Sequence, residues 1–256
     1  MIAVISKRTF HQNRGRNLVA VLAIILTTLM FTTLFVLSQS MNENIVEMTF
    51  RQVGYDAQVS FYSIAEEQAD KLAAHPDVEE VGNGVVVGLA EDNRVAGRQV
   101  ELRWADECFA KHSFALPSTG RLPEAEDEIA LDTMVLDRLG IAHELGTPVT
   151  IQWMADFVSK EVRTSTFTLC GFWEANENSY ASMAWVSREF ADQAVEDIGG
   201  PNPETRIGSH SVQVSLYHDK NIEKSMDRIL TVLGMSGLEY MVNLAYSSEM
   251  GRRAAL

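Results

Sequence analysis

The chain has 256 residues and a formal net charge of −14, from 21 basic and 35 acidic side chains. This excess of acid argues against nucleic acid and anionic lipid as partners of the acidic body of the chain, because both are themselves negatively charged. Two cysteines, Cys108 and Cys170, are too few for a disulfide-rich scaffold, and a body of about 200 residues can bury a core without such crosslinks. The two can form one disulfide or remain two buried thiols.

Residues 1–17 form a basic leader. Its charged residues are all basic, namely Lys7, Arg8, Arg14 and Arg16. Two acids, Glu43 and Glu47, follow the apolar segment that comes next. Because basic residues flank the cytoplasmic end of a membrane span, this asymmetry predicts a cytoplasmic N-terminus and places the residues after about 40 outside the membrane.

Residues 18–40 are predicted to form a transmembrane helix. No charged residue occurs from Leu18 to Leu37, and a helix of that length reaches about 30 Å, the thickness of a bilayer's hydrocarbon core. A cleaved secretory signal has an apolar region of only about 7–15 residues, so we expect this segment to be retained. The alternative is cleavage at the small-x-small pattern of Ser38 and Ser40. Thr28 and Thr32 lie one turn apart, where their hydroxyls can contact a neighbouring span or bond back to carbonyls of their own helix.

The outer part begins with a strand and a helix. In "DAQVSFY", residues 56–62, apolar and polar side chains alternate, which predicts a strand with one buried face. Ser63 and Glu66 have the spacing of a capping box, which predicts a helix from Ser63 to about Ala74. "VGNGVVVGLA" and "RQVELRW" predict two further strands around the turn "EDNR".

The same pattern returns near the other end of the chain. "SVQVSLY", residues 211–217, alternates as "DAQVSFY" does, and "AQVSFY" and "VQVSLY" share Gln, Val, Ser and Tyr. Asn221 is expected to cap a helix that ends at Gly234. The two strand–helix units are therefore predicted to share one sheet, with both helices on one face. "EYMVNLAY" predicts one more strand.

Residues 107–208, between the two units, are predicted to form an inserted, β-rich lobe. Asp132 or Thr133 is expected to cap a helix, which Gly140 ends in a left-handed turn. Gly146 is expected to make a tight bend into a strand from Val149 to Trp153.

Motifs typical of enzymes are incomplete in this chain. "GNGVVVG" continues into valines where a dinucleotide loop would open a helix, and "HELGT" at His143 lacks the second histidine of a zinc-protease helix. Three further histidines are scattered: His112, His210 and His218. The acids Glu124, Glu126, Asp127 and Glu128 are expected to form a solvated loop, since they lack calcium-loop spacing. We expect no catalytic, cofactor or metal site, and no enzyme activity.

The inserted segment also carries a longer motif: "GRLP", an acidic gap, "EIALD", then "LG", "G" and "VTI". Its matching positions are Gly120, Arg121, Pro123, Glu128, Ile129, Leu131, Leu139, Gly140, Gly146, Val149 and Ile151. This pattern resembles the extracytoplasmic core domain of MacB-like and FtsX-like ABC-transporter permeases. That family usually has Gly-Asp at the last glycine, whereas here Thr147 and Pro148 follow it.

The resemblance implies an α+β fold behind one transmembrane helix. A porter-like lobe, residues 50–106 with 209–245, would be interrupted by the inserted lobe at 107–208. Residues 246–256 would lead into a second membrane span that this sequence lacks, which would make the chain a fragment.

The resemblance also implies a function and partners. The chain would belong to a permease subunit that handles a peptide, lipoprotein or other amphiphile, in a membrane-embedded dimer with a second copy. A separate ABC ATPase subunit would bind ATP, so no cofactor is expected in this chain. The alternatives are a single-span, membrane-anchored binding or sensor domain and, less well supported, a secreted hydrolase.

Overall fold

The computed structural model describes residues 14–155, 161–202, 204–218 and 220–247, and divides into two compact units, Met1–Val46 and Glu47–Leu256. One helix, α1 (Arg14–Val53), supplies the described part of the first unit. It is the single described helix that is long and apolar enough to cross a membrane. Every side chain from Leu18 to Leu37 is exposed, as a lipid-facing segment requires.

Thr28 and Thr32 of α1 were predicted either to contact a neighbouring span or to bond back to their own helix. The Thr28 hydroxyl donates to the Ile24 carbonyl at 2.8 Å, and the Thr32 hydroxyl donates to the Thr28 carbonyl at 2.9 Å. Both hydroxyls thus bond back to carbonyls of their own helix. Contact with a neighbouring span stays a prediction. Lys7 and Arg8 lie outside the described residues, as do residues 248–256 of the predicted lead-in.

The second unit is an α+β domain, which confirms the predicted fold class. Its strands are β1 (Val59–Tyr62), β2 (Val78–Ala90), β3 (Val100–Ala105), β4 (Thr119–Gly120), β5 (Glu128–Asp132), β6 (Pro148–Met154), β7 (Val162–Trp173), β8 (Ser182–Val186), β9 (His210–Leu216) and β10 (Met241–Val242). Its helices are α2 (Glu66–Ala73), α3 (Glu107–His112), α4 (Thr133–Leu139), α5 (Arg188–Asp197), α6 (Ile222–Val232) and α7 (Leu244–Ser247). The strands lie in the order β10-β1-β9-β2-β3-β8-β5-β7-β4, and β6 pairs with β2 and β7.

The two strand–helix units share one sheet, as the repeat predicts. Strands β1 and β9 are antiparallel neighbours, and Val59 lies directly opposite Val214. Leu72 of α2 and Met226 of α6 belong to the same buried cluster as both valines, so the two helices cover the same face.

The polar face of β1 and β9 was predicted to be exposed to solvent, but it is buried. Gln58, Ser60 and Gln213 are 7%, 3% and 5% exposed. The alternation of side chains is correct, but both faces of the sheet are covered here.

The predicted capping box at Ser63 is wrong. Ser63 has a φ of 61°, whereas a capping residue needs an extended backbone, and α2 begins at Glu66 after the N-cap Ala65. The side-chain oxygen of Gln68 accepts from the Ala65 N–H at 3.1 Å. Asn221 precedes α6 as expected, but it has a left-handed backbone and makes no side-chain cap bond.

The predicted helix after Asp132 is confirmed in detail. The Asp132 carboxylate accepts from the Val135 N–H at 2.8 Å, and Gly140 ends α4 with a φ of 71°. The Ile141 N–H donates to the Leu136 carbonyl at 2.9 Å, which closes the left-handed turn.

The sheet is continuous across the proposed lobe boundary, since β3 pairs with β2 on one side and with β8 on the other. Val87 and Leu102, which precede the boundary, pack in one cluster with Ile129 and Val186, which follow it. The division into a porter-like and an inserted lobe stays a prediction.

Candidate functional site

A cavity of about 440 Å³ lies on the polar face of the sheet, within the second unit. Ser60 of β1 and Gln213 of β9, which lie opposite each other in the sheet, line this cavity. Phe109 of α3 also lines it. Helix α3 can approach the sheet because Gly82 of β2 has no side chain, and a Cβ there would lie 2.5 Å from the Phe109 nitrogen. The polar side chains are thus enclosed because a helix covers them.

A buried ion pair on β3 forms one side of the cavity. Val100 and Leu102 point into the core, so the alternate residues Glu101 and Arg103 point toward the cavity. Arg103 Nη1 donates to Glu101 Oε2 at 3.3 Å, and the two side chains are 11% and 9% exposed. Arg103 Nη2 donates to the Ser211 hydroxyl at 3.2 Å.

The other oxygen of Glu101 is also satisfied. Its Oε1 accepts from Gln99 Nε2 at 2.8 Å and from the Tyr180 hydroxyl at 3.1 Å. Burial, followed by the charge of Glu101, raises the pKa of Tyr180, so this hydroxyl keeps its proton and acts as a donor.

Two buried side-chain atoms in the described part of the chain lack a hydrogen-bond partner, and both belong to side chains that line this cavity. They are Arg103 Nε and Gln213 Oε1. The amide nitrogen of Gln213 is satisfied, because it donates to the Ser113 hydroxyl at 3.1 Å. Both atoms are closed to solvent, so neither faces the open space of the cavity.

In the sequence, Glu101, Arg103 and Gln213 are recognisable only as parts of predicted strands. A usable signal was present in "RQVELRW", where an acid and a base two residues apart must lie on the same face of a strand. Opposite charges on the face shared with Gln213 and Ser60 would have indicated a covered polar surface.

A second group of polar side chains surrounds His112. Its Nδ1 lies 2.5 Å from Asp56 Oδ1, and its Nε2 lies 2.9 Å from Glu80 Oε2. Lys111 Nζ donates to both oxygens of Glu80 at 3.0 Å. The hydrogen bond to Asp56, with a further one to Cys108, raises the pKa of His112 from 6.5 to about 10. The ring is thus a cation between two carboxylates.

Three of these side chains have the chemistry of metal ligands. The ligand atoms of Glu80, Cys108 and His112 lie within 4.8 Å of one another. A metal ion would have to replace the proton on His112 Nε2 and lie beside the Lys111 ammonium. The arrangement therefore favours a self-neutralised charge network, and both cysteines are free thiols rather than a disulfide.

We expect His112→Gln to lower the free energy of unfolding by about 1.5–3 kcal/mol near neutral pH, the range for a charged hydrogen bond. The folded pKa of His112 lies above its unfolded value, so its stabilisation is complete below pH 6.5 and is lost as the pH rises toward 10. Urea unfolding across this range measures the difference between wild type and variant. That difference should shrink with pH.

The same measurements in a Cys108→Ser background remove the neighbouring thiol from the comparison. A difference between wild type and His112→Gln that stays constant over the whole range would contradict a charged His112.

An ion pair joins two of the motif residues in the inserted segment, Arg121 and Glu128. Arg121 donates to Glu128 through Nη2 at 2.6 Å and through Nη1 at 2.8 Å. The backbone N–H groups of Glu124 and Ala125 donate to Glu128 Oε2 at 2.9 and 3.0 Å. The Arg121 bond, aided by these amides, lowers the pKa of Glu128 to about 2. This carboxylate is engaged within the protein, while Glu124, Glu126 and Asp127 are exposed.

The other motif residues have local structural roles. Gly120 has a φ of 78° and pairs with Gly171 of β7, where a Cβ would overlap the Cys170 carbonyl. Pro123, two residues after Arg121, is buried. Leu139 is buried at the end of α4 before Gly140, and Gly146 has a φ of 86° before β6.

The incomplete enzyme motifs lie on elements of a different type from those that the complete motifs require. "GNGVVVG" lies inside β2, and residues 141–147 around His143 are not helical. His143 Nε2 bonds to Asp137 at 2.9 Å, and burial lowers the pKa of His210. Among the described residues, neither His143 nor His210 lies in a group with a nucleophile and an acid, whereas His112 lies beside the Cys108 thiol and two carboxylates, as described above.

No protein-family model and no curated protein sequence matches this chain. Solved structures are similar in fold. The periplasmic region of MacB from Actinobacillus actinomycetemcomitans is 16% identical, with a TM-score of 0.47 over 77% of this chain and 93% of that chain. The extracellular domain of YknZ, a noncanonic ABC-type transporter from Gram-positive bacteria, is 14% identical, with a TM-score of 0.46 over 73% of this chain and 99% of that chain.

Proposed function

We propose that this chain contains the first membrane span and the outer domain of an ABC-transporter permease subunit. The outer domain moves with the cycle of a separate ATPase, which binds the ATP, and acts on a peptide, a lipoprotein or another amphiphile. A second permease copy completes the membrane-embedded dimer. The N-terminus is cytoplasmic, and the chain itself has no enzyme activity.

The observation that carries this proposal is the motif that resembles MacB-like and FtsX-like permeases. Its residues form one connected structure, in which Gly120 lies against β7 and Arg121 holds Glu128. Two further features support it. A membrane-length helix precedes the domain in the chain, and two strand–helix units share one sheet.

We expect a cysteine at Ser118 to react with an impermeant maleimide on intact cells, because this position is exposed and follows the span. Gly15→Cys is the matched control at the other end of the span, where a Cβ meets no other atom within 4 Å. It should be labelled only after the membrane is opened. Both changes are made with Cys108 and Cys170 replaced by serine. Labelling with the two positions reversed would overturn the topology.

Purification of the natural protein from its own membranes in mild detergent tests the coupling to ATP. We expect an ATPase with a Walker A phosphate loop to copurify, and a Walker lysine→Ala change in it to abolish ATP hydrolysis by the complex. Recovery of the protein without any ATPase would contradict the permease assignment.

That last outcome would favour the second candidate, a single-span, membrane-anchored binding or sensor domain. The cavity on the polar face of the sheet, which Glu101, Arg103 and Arg206 line, supports this candidate, since a binding domain needs a concave site with a few polar groups.

A further inference from the structure

The cavity on the polar face of the sheet opens to solvent. Tyr180 and Arg206, which line it, are exposed, whereas Ser60 and Ser211, which also line it, are buried. The cavity therefore has a mouth and an interior, and a ligand can enter it and keep one end near the surface. Its volume of about 440 Å³ lies in the range of small-molecule sites, about 300–1,000 Å³.

Aliphatic side chains give the cavity an apolar surface that a ligand can reach. Val53, Val86 and Leu89 line it and are only half-buried, so part of their hydrocarbon stays in contact with water. Accessible hydrocarbon in a concave site favours an apolar ligand, because binding removes the surfaces of both partners from water.

Three charged side chains line the cavity, and two of them neutralise each other. Glu101 and Arg103 form the ion pair on β3. The guanidinium of the third, Arg206, makes no hydrogen bond or ion pair with another described residue. The cavity thus carries one uncompensated positive charge, although the chain as a whole carries −14. A single positive charge is neutralised by a monoanion such as a carboxylate.

Arg206 is held against the cavity although it is exposed. Its guanidinium carbon lies 4.2 Å from the centre of the Tyr62 ring, and both residues line the cavity. The Arg206 backbone has a φ of 63°, a left-handed conformation that is uncommon for a residue with a side chain and is often found at binding sites. Its N–H groups are unused within the described chain, so they can donate to a carboxylate, which a guanidinium binds well.

We propose that this cavity binds a small amphipathic carboxylate, namely a single apolar chain that ends in one carboxylate group. The carboxylate pairs with Arg206 at the mouth, and the apolar chain packs against Val53, Val86 and Leu89. That such a ligand is the transported amphiphile rests on the proposed function, whereas its binding does not. Binding is measured without an ATPase, so a failure to bind is distinct from a failure of the ATPase to copurify.

Isothermal titration of the full chain in nanodiscs with three compounds tests the proposal, and empty nanodiscs measure the share that enters the lipid. Octanoate has both required groups, hexanoate has two methylenes fewer, and octanamide has a neutral end. We expect hexanoate to bind about tenfold more weakly than octanoate, because each buried methylene changes the affinity by about fourfold. We expect octanamide to bind about fivefold more weakly than octanoate, the upper end of the range for an exposed ion pair.

Three results of this series would overturn the proposal. The first is octanoate binding that does not exceed the uptake by empty nanodiscs. The second is equal affinity for octanoate and octanamide, which would remove the carboxylate from the site. The third is equal affinity for octanoate and hexanoate, which would remove the apolar chain from it.

A variant of Arg206 locates the site. We expect Arg206→Asn to abolish the preference for octanoate over octanamide and to leave the affinity for octanamide unchanged. Asparagine suits this position because it adopts the left-handed backbone more readily than most residues. Arg228→Asn is the matched control, since Arg228 is exposed and does not line the cavity, and it should keep the fivefold preference.

Equal loss of the preference in both variants would indicate a general effect of charge and would contradict pairing with Arg206. If Arg206→Asn fails to fold, Arg206→Gly replaces it, because glycine takes a positive φ without strain. The three-compound series on the wild-type chain needs neither variant and still decides whether the cavity takes an amphipathic carboxylate.

Discussion

Val214→Asp is expected to destabilise the outer domain by about 3–5 kcal/mol, the cost of an uncompensated buried charge. Val214 is fully buried and lies between Val59 of β1 and Val81 of β2. It packs in the same cluster as Met226 and Ile229 of α6, so an aspartate would find no cationic partner there. A loss of this size is a large part of the stability of a typical domain, about 5–15 kcal/mol.

Tryptophan fluorescence of the full chain in detergent, followed in urea, measures this effect. All four tryptophans lie in the second unit, so the signal reports on the outer domain and not on the membrane helix. Tyr217→Asp is the matched control, because Tyr217 follows the same strand but is 59% exposed. The control should change the stability by less than about 0.5 kcal/mol. Equal midpoints for the two variants would contradict a shared buried sheet.

The strand repeat could be predicted because it depends on local alternation. A period of two specifies which side chains share a face, and Val59 and Val214 do lie together. The repeat could not specify what covers the other face. That face is enclosed by α3, which approaches only because Gly82 and Gly84 of β2 leave room for it. Such an approach depends on contacts between distant parts of the chain.

The helix ends could likewise be predicted only where they depend on neighbouring residues. Gly140 could be predicted because its role depends on the helix immediately before it, which Asp132 caps. Ser63 had the spacing of a capping residue, but its backbone is left-handed where the chain leaves β1. The Ser63 N-cap therefore failed although the helix itself was predicted.

The candidate site was the least predictable part. Glu101 and Arg103 form a pair through spacing that the sequence displays, but the cavity also requires Gln213, which is more than a hundred residues away. Arg103 also lies against the Phe109 ring of α3, and a sequence does not display such contacts between separate elements.

Gly120→Ala is expected to lower the free energy of unfolding by about 2–5 kcal/mol. Part of this is the left-handed backbone, with a φ of 78°, which costs a residue with a Cβ about 1–2 kcal/mol. The rest is steric, about 1–3 kcal/mol for overpacking, because the new Cβ would overlap the Cys170 carbonyl. The strands β4 and β7 must separate at this point, where the Arg121 N–H donates to that same carbonyl at 3.0 Å.

Gly97→Ala separates the two contributions, because Gly97 has a φ of 82° but a Cβ there meets no atom within 4 Å. It should cost only the backbone share, about 1–2 kcal/mol. The difference between the two variants therefore measures how tightly the motif is held against β7, and urea unfolding monitored by tryptophan fluorescence gives both values. If Gly120→Ala costs no more than Gly97→Ala, the glycine of the motif serves the turn alone. The motif that supports the permease assignment would then be ordinary turn chemistry instead of a fixed contact between two strands.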